Sequence, residues 1–255
     1  MPPLAVKCIQ SWEKYCPGYE IKRWDENNFD INYNTYTKEA YTAKKWAFVS
    51  DVARLWALVN YGGVYMDTDC ELIKPIDNFL KHDAAAGFEP CSYVATAFLC
   101  AHKEHELFRE VLDDYNEKTF VTKSGEYDLL TNVNRMAKIL SKHGLLQNDM
   151  LQTVKGLTVY PSEYFNPKDW RTGEINITNN THAIHHEDAS WYNDKQRQSL
   201  RKRQRVNRLL GVKLGNVYLN CIRPFEGVWA TIKNEGCKAV LIKIRKKLKK
   251  KTKTV

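Results

Sequence analysis

At 255 residues, with 43% hydrophobic and 12% aromatic content, the chain has apolar material for one sizeable core or two small ones, which excludes a disordered polymer. Its net charge of +9 is unevenly placed: residues 192–255 hold 19 of the 39 Lys and Arg but 3 of the 30 Asp and Glu, so the body before them is acidic, about −7. Basic character thus belongs to an appendage, and neither a run of about 18 apolar residues nor a basic-then-apolar start points to a spanning helix or a signal peptide.

Seven cysteines, at 8, 16, 70, 91, 100, 221 and 237, are odd in number and form no Cys-x-x-Cys pair, which is the pattern of a reduced, cytoplasmic protein. In chain order, Leu4, Cys8, Trp12 and Tyr15 fall at helical spacing and predict a helix over Leu4–Cys16, stopped by Pro17 and Gly18. A short strand is expected at Tyr19–Trp24. The longest helix is expected from Lys38 to Asn60, with apolar residues on nearly every face and Gly62 and Gly63 ending it. Val64–Met66 and Glu71–Ile73 read as brief strands. Ala84–Phe88, Tyr93–Ala101 and Leu157–Tyr160 read as further strands, with helices over His105–Tyr115 and Leu129–His143. Alternation of strands and helices favours a mostly parallel sheet covered by helices, with ligands beyond the carboxyl ends of strands.

The chemistry concentrates in Trp46–Asp69, WAFVSDVARLWALVNYGGVYMDTD. With 14 aspartates in the chain, about 0.8 Asp-x-Asp pairs arise by chance, so position has to carry the argument. Asp67 and Asp69 stand where an apolar strand emerges, and alternation would put both carboxylates on one side with Thr68 on the other. Hard divalent cations take carboxylate, phosphate and water oxygens, so the pair suits Mg²⁺ or Mn²⁺ bridging a diphosphate. A solvated turn is the plain alternative. Asp51 and Arg54, three apart in an apolar helix, share a face; they read either as a structural ion pair or as groups that grip hydroxyls and phosphate.

The string Ser50, Asp51, Arg54, Gly62, Gly63, Val64, Tyr65, Asp67 and Asp69 resembles the signature of glycosyltransferase family 32, the DXD sugar transferases that include capsular and lipopolysaccharide transferases, yeast-type mannosyltransferases and relatives of the clostridial glucosylating toxins. The resemblance, running from about Pro2 to Trp191, implies a GT-A fold with a mixed, mostly parallel sheet flanked by helices. It also implies a UDP- or GDP-sugar donor, dependence on Mn²⁺ or Mg²⁺, and retention of anomeric configuration. It implies donor contacts from Asp51, Arg54 and Tyr65. A second match, AIHHEDASW at Ala183–Trp191, resembles the family's late His-x-x-x-Ser-Trp element. By that likeness His186 completes the metal site of Asp67 and Asp69, while Ser190 and Trp191 serve the donor. Strand alternation lets only one of His185 and His186 face inward and does not choose between them.

GEYDLLTNV at Gly125–Val133 occupies the place where the family puts acceptor-side and catalytic residues, which makes Asp128 and Asn132 candidates beside Asp67 and Asp69. The competing reading has Asp128 capping the helix expected from Leu129. Family members open with a strand before the first helix, whereas here Met1 directly precedes that helix, so a sheet lacking that strand is expected.

Residues 195–208 carry seven basic side chains and Lys243–Lys253 carry eight. Basic, partly amphipathic helices bind anionic lipid at about 1 kcal/mol per charge, which fits a peripheral protein on the inner face of the cell membrane acting on lipid-linked acceptors. Nucleic acid is the weaker reading, because no recognised module and no interleaved stacking aromatics are present. The expectation is therefore a glycosyltransferase domain over residues 1–191 and a basic helical extension over 192–255, making capsule or lipopolysaccharide from a nucleotide-sugar donor and a saccharide or lipid-linked acceptor. A metal-dependent phosphohydrolase, and a non-catalytic nucleotide- or membrane-binding protein with a truncated start, are the rivals.

Overall fold

In a computed structural model of the chain, residues 1–90, 93–188 and 192–221 are described below. The chain separates into two compact units, the first formed by Met1–Asp169 with Glu174–Trp191 and the second by Trp170–Gly173 with Tyr192–Val255.

The first unit opens with α1 (Pro3–Tyr15), α2 (Thr35–Thr42) and α3 (Trp46–Tyr61), followed by β1 (Gly63–Met66), β2 (Cys70–Leu72), a 3₁₀ turn over Asp77–Lys81, β3 (Ala84–Phe88) and β4 (Val94–Ala101). It continues through α4 (Glu106–Asn116), α5 (Asn132–Lys142), β5 (Gln152–Val154), β6 (Leu157–Tyr160), a small hairpin of β7 (Lys168–Asp169) with β8 (Glu174–Ile175), and β9 (Ala183–His185). Five strands form one sheet in the order β1-β4-β3-β6-β5, and β2 pairs separately with β9.

Both faces of that sheet are covered, and the two-residue period of its central strands shows it. Ala84, Ala86, Phe88, Leu99 and Ala101 join a core with Leu55 and Leu58 of α3, Phe108 and Leu112 of α4, and Met136 and Leu140 of α5. Ala85, Phe98 and Cys100 point the other way, into a second core with Cys8 and Trp12 of α1, Cys70, Phe79 and Phe165. A strand buried on both faces reads as a continuous apolar run, which is why Ala84–Phe88 is predictable to the residue.

The expected mixed α/β sheet with flanking helices is present, but parallel pairing does not predominate. β3 and β6 pair in parallel, while β1 with β4, β3 with β4 and β5 with β6 are antiparallel. β3 and β4, consecutive strands in the chain, pair antiparallel, which a helical crossover between parallel strands does not give. Tyr19–Trp24 is irregular, and no strand forms there. Trp24 packs instead on Trp56 and Tyr61, at 5.3 and 5.0 Å between ring centroids, so this segment covers α3 rather than extending a sheet.

The long helix expected from Lys38 to Asn60 is two helices. Lys44 takes a left-handed φ of 55°, and the amides of Lys44 and Lys45 fold back to the carbonyls of Tyr41 and Ala40, a Schellman closure whose left-handed position is usually glycine. Lysine there erased the stop signal from the sequence. Helix α3 is also less enclosed than expected, with Trp46 and Tyr61 exposed at its two ends. Gly62 ends α3 as expected: its φ is 69°, and a Cβ there would stand 2.6 Å from the Lys103 amide nitrogen, so only glycine lets α3 turn directly into β1 beside β4.

The second unit contains α6 (Asp194–Leu210), started by a capping box in which the Asn193 side chain accepts from the Gln196 amide and the Gln196 side chain from the Asn193 amide. A further helical stretch begins at residue 212. Asn207 donates to the Arg171 carbonyl at 2.9 Å. Leu209, Leu214, Val217 and Tyr218 of this unit are exposed. Among the described residues, no helix is long and apolar enough to cross a membrane.

Candidate functional site

Asp67 follows β1, and its amide still bonds to the Ala97 carbonyl of β4 at 2.9 Å. The chain then turns: the Cys70 amide returns to the Asp67 carbonyl at 2.9 Å, so Asp-x-Asp occupies a tight turn between β1 and β2 rather than an extended strand end. Both carboxylates nevertheless converge. One ligand atom from each of Asp67, Asp69 and His185 lies within 4.8 Å of the others, and His185 Nε2 stands 3.5 Å from Asp69 Oδ1.

The histidine comes from β9, which pairs antiparallel with β2 so that Cys70 is opposite His185 and Leu72 opposite Ala183. The His186 amide then bonds to the Asp69 carbonyl at 2.9 Å, and the Asp188 amide to Asp69 Oδ2 at 2.9 Å. Alternation along β9 therefore turns His185 to the carboxylates. The expected ligand His186 points the other way, its Nε2 2.8 Å from Glu71 Oε2, with Lys7 Nζ on the same oxygen at 2.7 Å.

The chemistry of this group fits a divalent cation. Burial holds the His185 imidazole below its usual pKa against the opposing pull of Asp69 and Asp67, which favours the neutral form that ligates metals. Its Nδ1 is buried with no hydrogen-bond partner. Two carboxylates and one neutral imidazole form a donor set that Mn²⁺ accepts readily.

The donor-side candidates are tied to Asp67 through Arg54. This guanidinium, 6% exposed, is 3.0 Å from Asp51 and 3.4 Å from Asp67. Its Nη1 also donates to the Thr96 carbonyl at 2.8 Å and to Thr96 Oγ1 at 3.1 Å. The Tyr65 hydroxyl donates to Asp67 Oδ1 at 2.6 Å, and its ring lies 4.8 Å from the Arg54 guanidinium carbon. Burial pushes the Asp51 carboxyl up to about 6 even with Arg54 beside it. Arg54 thus joins α3, β1 and β4, and the ion pair and the site are one arrangement.

Asn132 reaches the same network from α5: its amide donates to Asp51 Oδ2 at 3.3 Å, and both polar atoms of its side chain are buried without partners. Asp128 does not cap α5. The helix starts at Asn132, and the Thr131 hydroxyl accepts from the Asn134 amide. Asp128 instead pairs with the buried Arg135, which also meets Asp114 at 3.1 Å. Its remaining oxygen accepts from the Leu130 amide at 3.1 Å. Ser190 and Trp191 lie outside the described residues. Sequence reasoning missed the part played by Glu71 and Thr96; a carboxylate alternating with Asp69 was the visible signal for the first, and nothing local marked the second.

The family described as "Glycosyltransferase sugar-binding region containing DXD motif" matches residues 2–86. That stretch contains Asp51, Arg54, Tyr65, Asp67 and Asp69. Residues 2–86 are thus similar to a DXD-type glycosyltransferase sugar-binding region. The chain is also similar to the lactosylceramide 4-alpha-galactosyltransferases of Rattus norvegicus, at 26% identity over 152 residues, and Mus musculus, at 27% over 150. These matches cover 54% of this chain and 39% and 40% of the relatives, so it spans about two fifths of their length. Among solved structures, a PaToxG glycosyltransferase shares 17% identity, covering 44% of this chain and 41% of its own, with a TM-score of 0.33. His185 stands beyond the matched region, and the fold brings it back to it.

Proposed function

We propose that this glycosyltransferase chain moves a sugar from a UDP- or GDP-sugar to a saccharide or lipid-linked acceptor, with Asp67, Asp69 and His185 holding Mn²⁺ or Mg²⁺. The convergence of the two carboxylates with the part-buried imidazole of His185 carries this reading. A cation bound there would supply charge neutralisation for the departing diphosphate. Arg54 orients Asp67 through its guanidinium and fixes Asp51 beside the amide of Asn132. In this reading Asp51 serves the donor hydroxyls, the buried Asn132 backs it through its backbone amide, and Tyr65 holds one Asp67 oxygen by its phenolic hydrogen. Retention of configuration, and a place in capsule or lipopolysaccharide synthesis, are the finer parts of the proposal. Similarity to lactosylceramide 4-alpha-galactosyltransferases makes UDP-galactose the first donor to try and a lactose-terminated glycolipid the first acceptor.

The deciding assay is nucleoside diphosphate release from a panel of UDP- and GDP-sugars, with Mn²⁺ or with chelator. Metal-dependent release from one donor is expected. Inorganic phosphate in its place would point to a phosphohydrolase, and nucleotide binding with no turnover to a non-catalytic protein. In a Mn²⁺ titration followed by electron paramagnetic resonance, His185→Ala should weaken binding at least about tenfold, as loss of a ligand does, and His186→Ala should weaken it less. The reverse order would return the ligand role to His186.

The second unit supports peripheral attachment to an anionic, cytoplasmic membrane face: α6 carries Arg201, Arg203, Arg205 and Arg208, and the same unit exposes Leu209, Leu214 and Val217. Co-sedimentation should occur with vesicles containing anionic lipid and fall steeply with salt. Equal failure with anionic and neutral vesicles would end this part of the proposal.

A further inference from the structure

The Asp-x-Asp turn has two neighbourhoods. Asp67 directs its oxygens to Arg54 and Tyr65; Asp69 meets His185 and the Asp188 amide instead. Next along the chain from His186 is Glu187, held at a left-handed φ of 48°. Its half-buried carboxyl lies in the fields of Lys168, Glu89, Asp69 and Asp169. Glu89 directly follows the last residue of β3. Among the described residues no hydrogen bond or ion pair reaches its side chain, and burial alone pushes its carboxyl up to about 7.

A second, independent group sits at the root of the same strand end. Asn166 is 2% exposed; its Nδ2 donates to the Phe88 carbonyl at 2.9 Å, while its Oδ1 is buried with no partner. Gly87 makes room for it, because a Cβ there would stand 2.7 Å from the Phe165 ring and 3.3 Å from Asn166 Nδ2. A buried amide oxygen without a donor is costly to keep, and its side chain is bonded to Phe88, the residue before the part-buried Glu89.

We propose that Glu89 and Asn166, at the carboxyl end of β3, form with Glu187 and Lys168 a subsite that binds hydroxyl groups of the acceptor saccharide. This rests on the glycosyltransferase reading above and assigns the acceptor side of that site. The cluster has hydrogen-bond acceptors in surplus and a single cation, Lys168, whose Nζ is already on the His186 carbonyl. A pyranose supplies what is missing, several O–H donors at fixed spacing and no charge. A nucleoside diphosphate does not, since it would bring further negative charge to three carboxylates. Asp69 is shared between the two neighbourhoods, so a sugar seated on Glu89 and Glu187 would present its hydroxyl next to the Asp-x-Asp turn.

The test is calorimetric titration of the full chain, with Mn²⁺ and UDP or GDP present, using lactose and the methyl pyranosides of glucose, galactose and mannose. At least one glycoside should bind the unaltered protein. Glu89→Gln, which keeps the size of the side chain, should weaken that binding about tenfold, as loss of a charge-assisted hydrogen bond does, and Glu187→Gln should act in the same direction. Nucleotide affinity should not move, and in turnover the acceptor KM should rise while the donor KM stays. Three results would overturn the proposal: no glycoside bound by the unaltered protein, glycoside binding unchanged in both variants, or loss of one equivalent of Mn²⁺ in Glu89→Gln with glycoside binding intact, which would make the cluster a second cation site. Failure of the glycosyltransferase reading would show separately, as no metal-dependent nucleotide release from any donor.

Discussion

Asp67→Asn is expected to lower metal-dependent nucleoside diphosphate release at least about a hundredfold, the scale on which removing one preorganised electrostatic group acts on a charged leaving group. The substitution keeps the side-chain volume and the oxygen that accepts from the Tyr65 hydroxyl. It removes the negative charge shared between Arg54 and the proposed cation. Arg54 retains Asp51 at 3.0 Å and the Thr96 carbonyl, so no buried cation is stranded and the melting temperature should stay within a few degrees. Circular dichroism on the same preparation separates lost chemistry from lost structure. A variant that folds and still releases nucleotide at a tenth of the original rate or faster would remove Asp67 from the proposed mechanism.

Arg54→Met should have the larger effect on stability, because it leaves Asp51 buried without its cation and strips a hydrogen-bond donor from Thr96 and Ser50. Breaking a buried pair from one side costs about 3–5 kcal/mol, which for a chain of this size is a fall of roughly 6–20 °C in Tm. Lysine should not rescue it, since one ammonium cannot serve Asp51, Asp67 and Thr96 in the fixed fork that the guanidinium provides. Adding Asp51→Asn to Arg54→Met should recover part of the loss, as the stranded carboxylate is then gone. Urea unfolding of the two single variants and the double gives the coupling directly, and a loss below about 1 kcal/mol in Arg54→Met would contradict the structural role assigned here.

Much of the site was legible locally. Asp51 and Arg54 announce their shared face by spacing alone, and they pair as that spacing says. Asp67 and Asp69 were found by an apolar strand, a glycine stop and a carboxylate pair in immediate succession, all within Trp46–Asp69. Where local reading failed, a contact distant in sequence had intervened. Lys44 ends α2 in a conformation its side chain does not advertise. The segment before Trp24 has strand-like composition but gives its aromatic ring to α3. Asp128 has the composition of a cap, yet Arg135 one turn into α5 claims it, and Thr131 caps instead.

By itself the sequence determined the nature of this protein's central block: a helix carrying an ion pair, a glycine stop, and two carboxylates delivered just after a strand, because each depends on residues within a few turns of one another. The tertiary structure decided which histidine joins them. Cys70 pairs with His185 across 115 positions of chain, and the two-residue period of β9 turns His185 inward and His186 to Glu71. Register between strands so far apart is set by packing of the whole unit, with Trp12 of α1 donating to the Cys70 carbonyl at 2.7 Å, and no local pattern encodes it. The same holds for Glu89 and Asn166, unremarkable apart in the chain and left facing the same unmet need for donors only once β3 and the segment after Phe165 lie side by side.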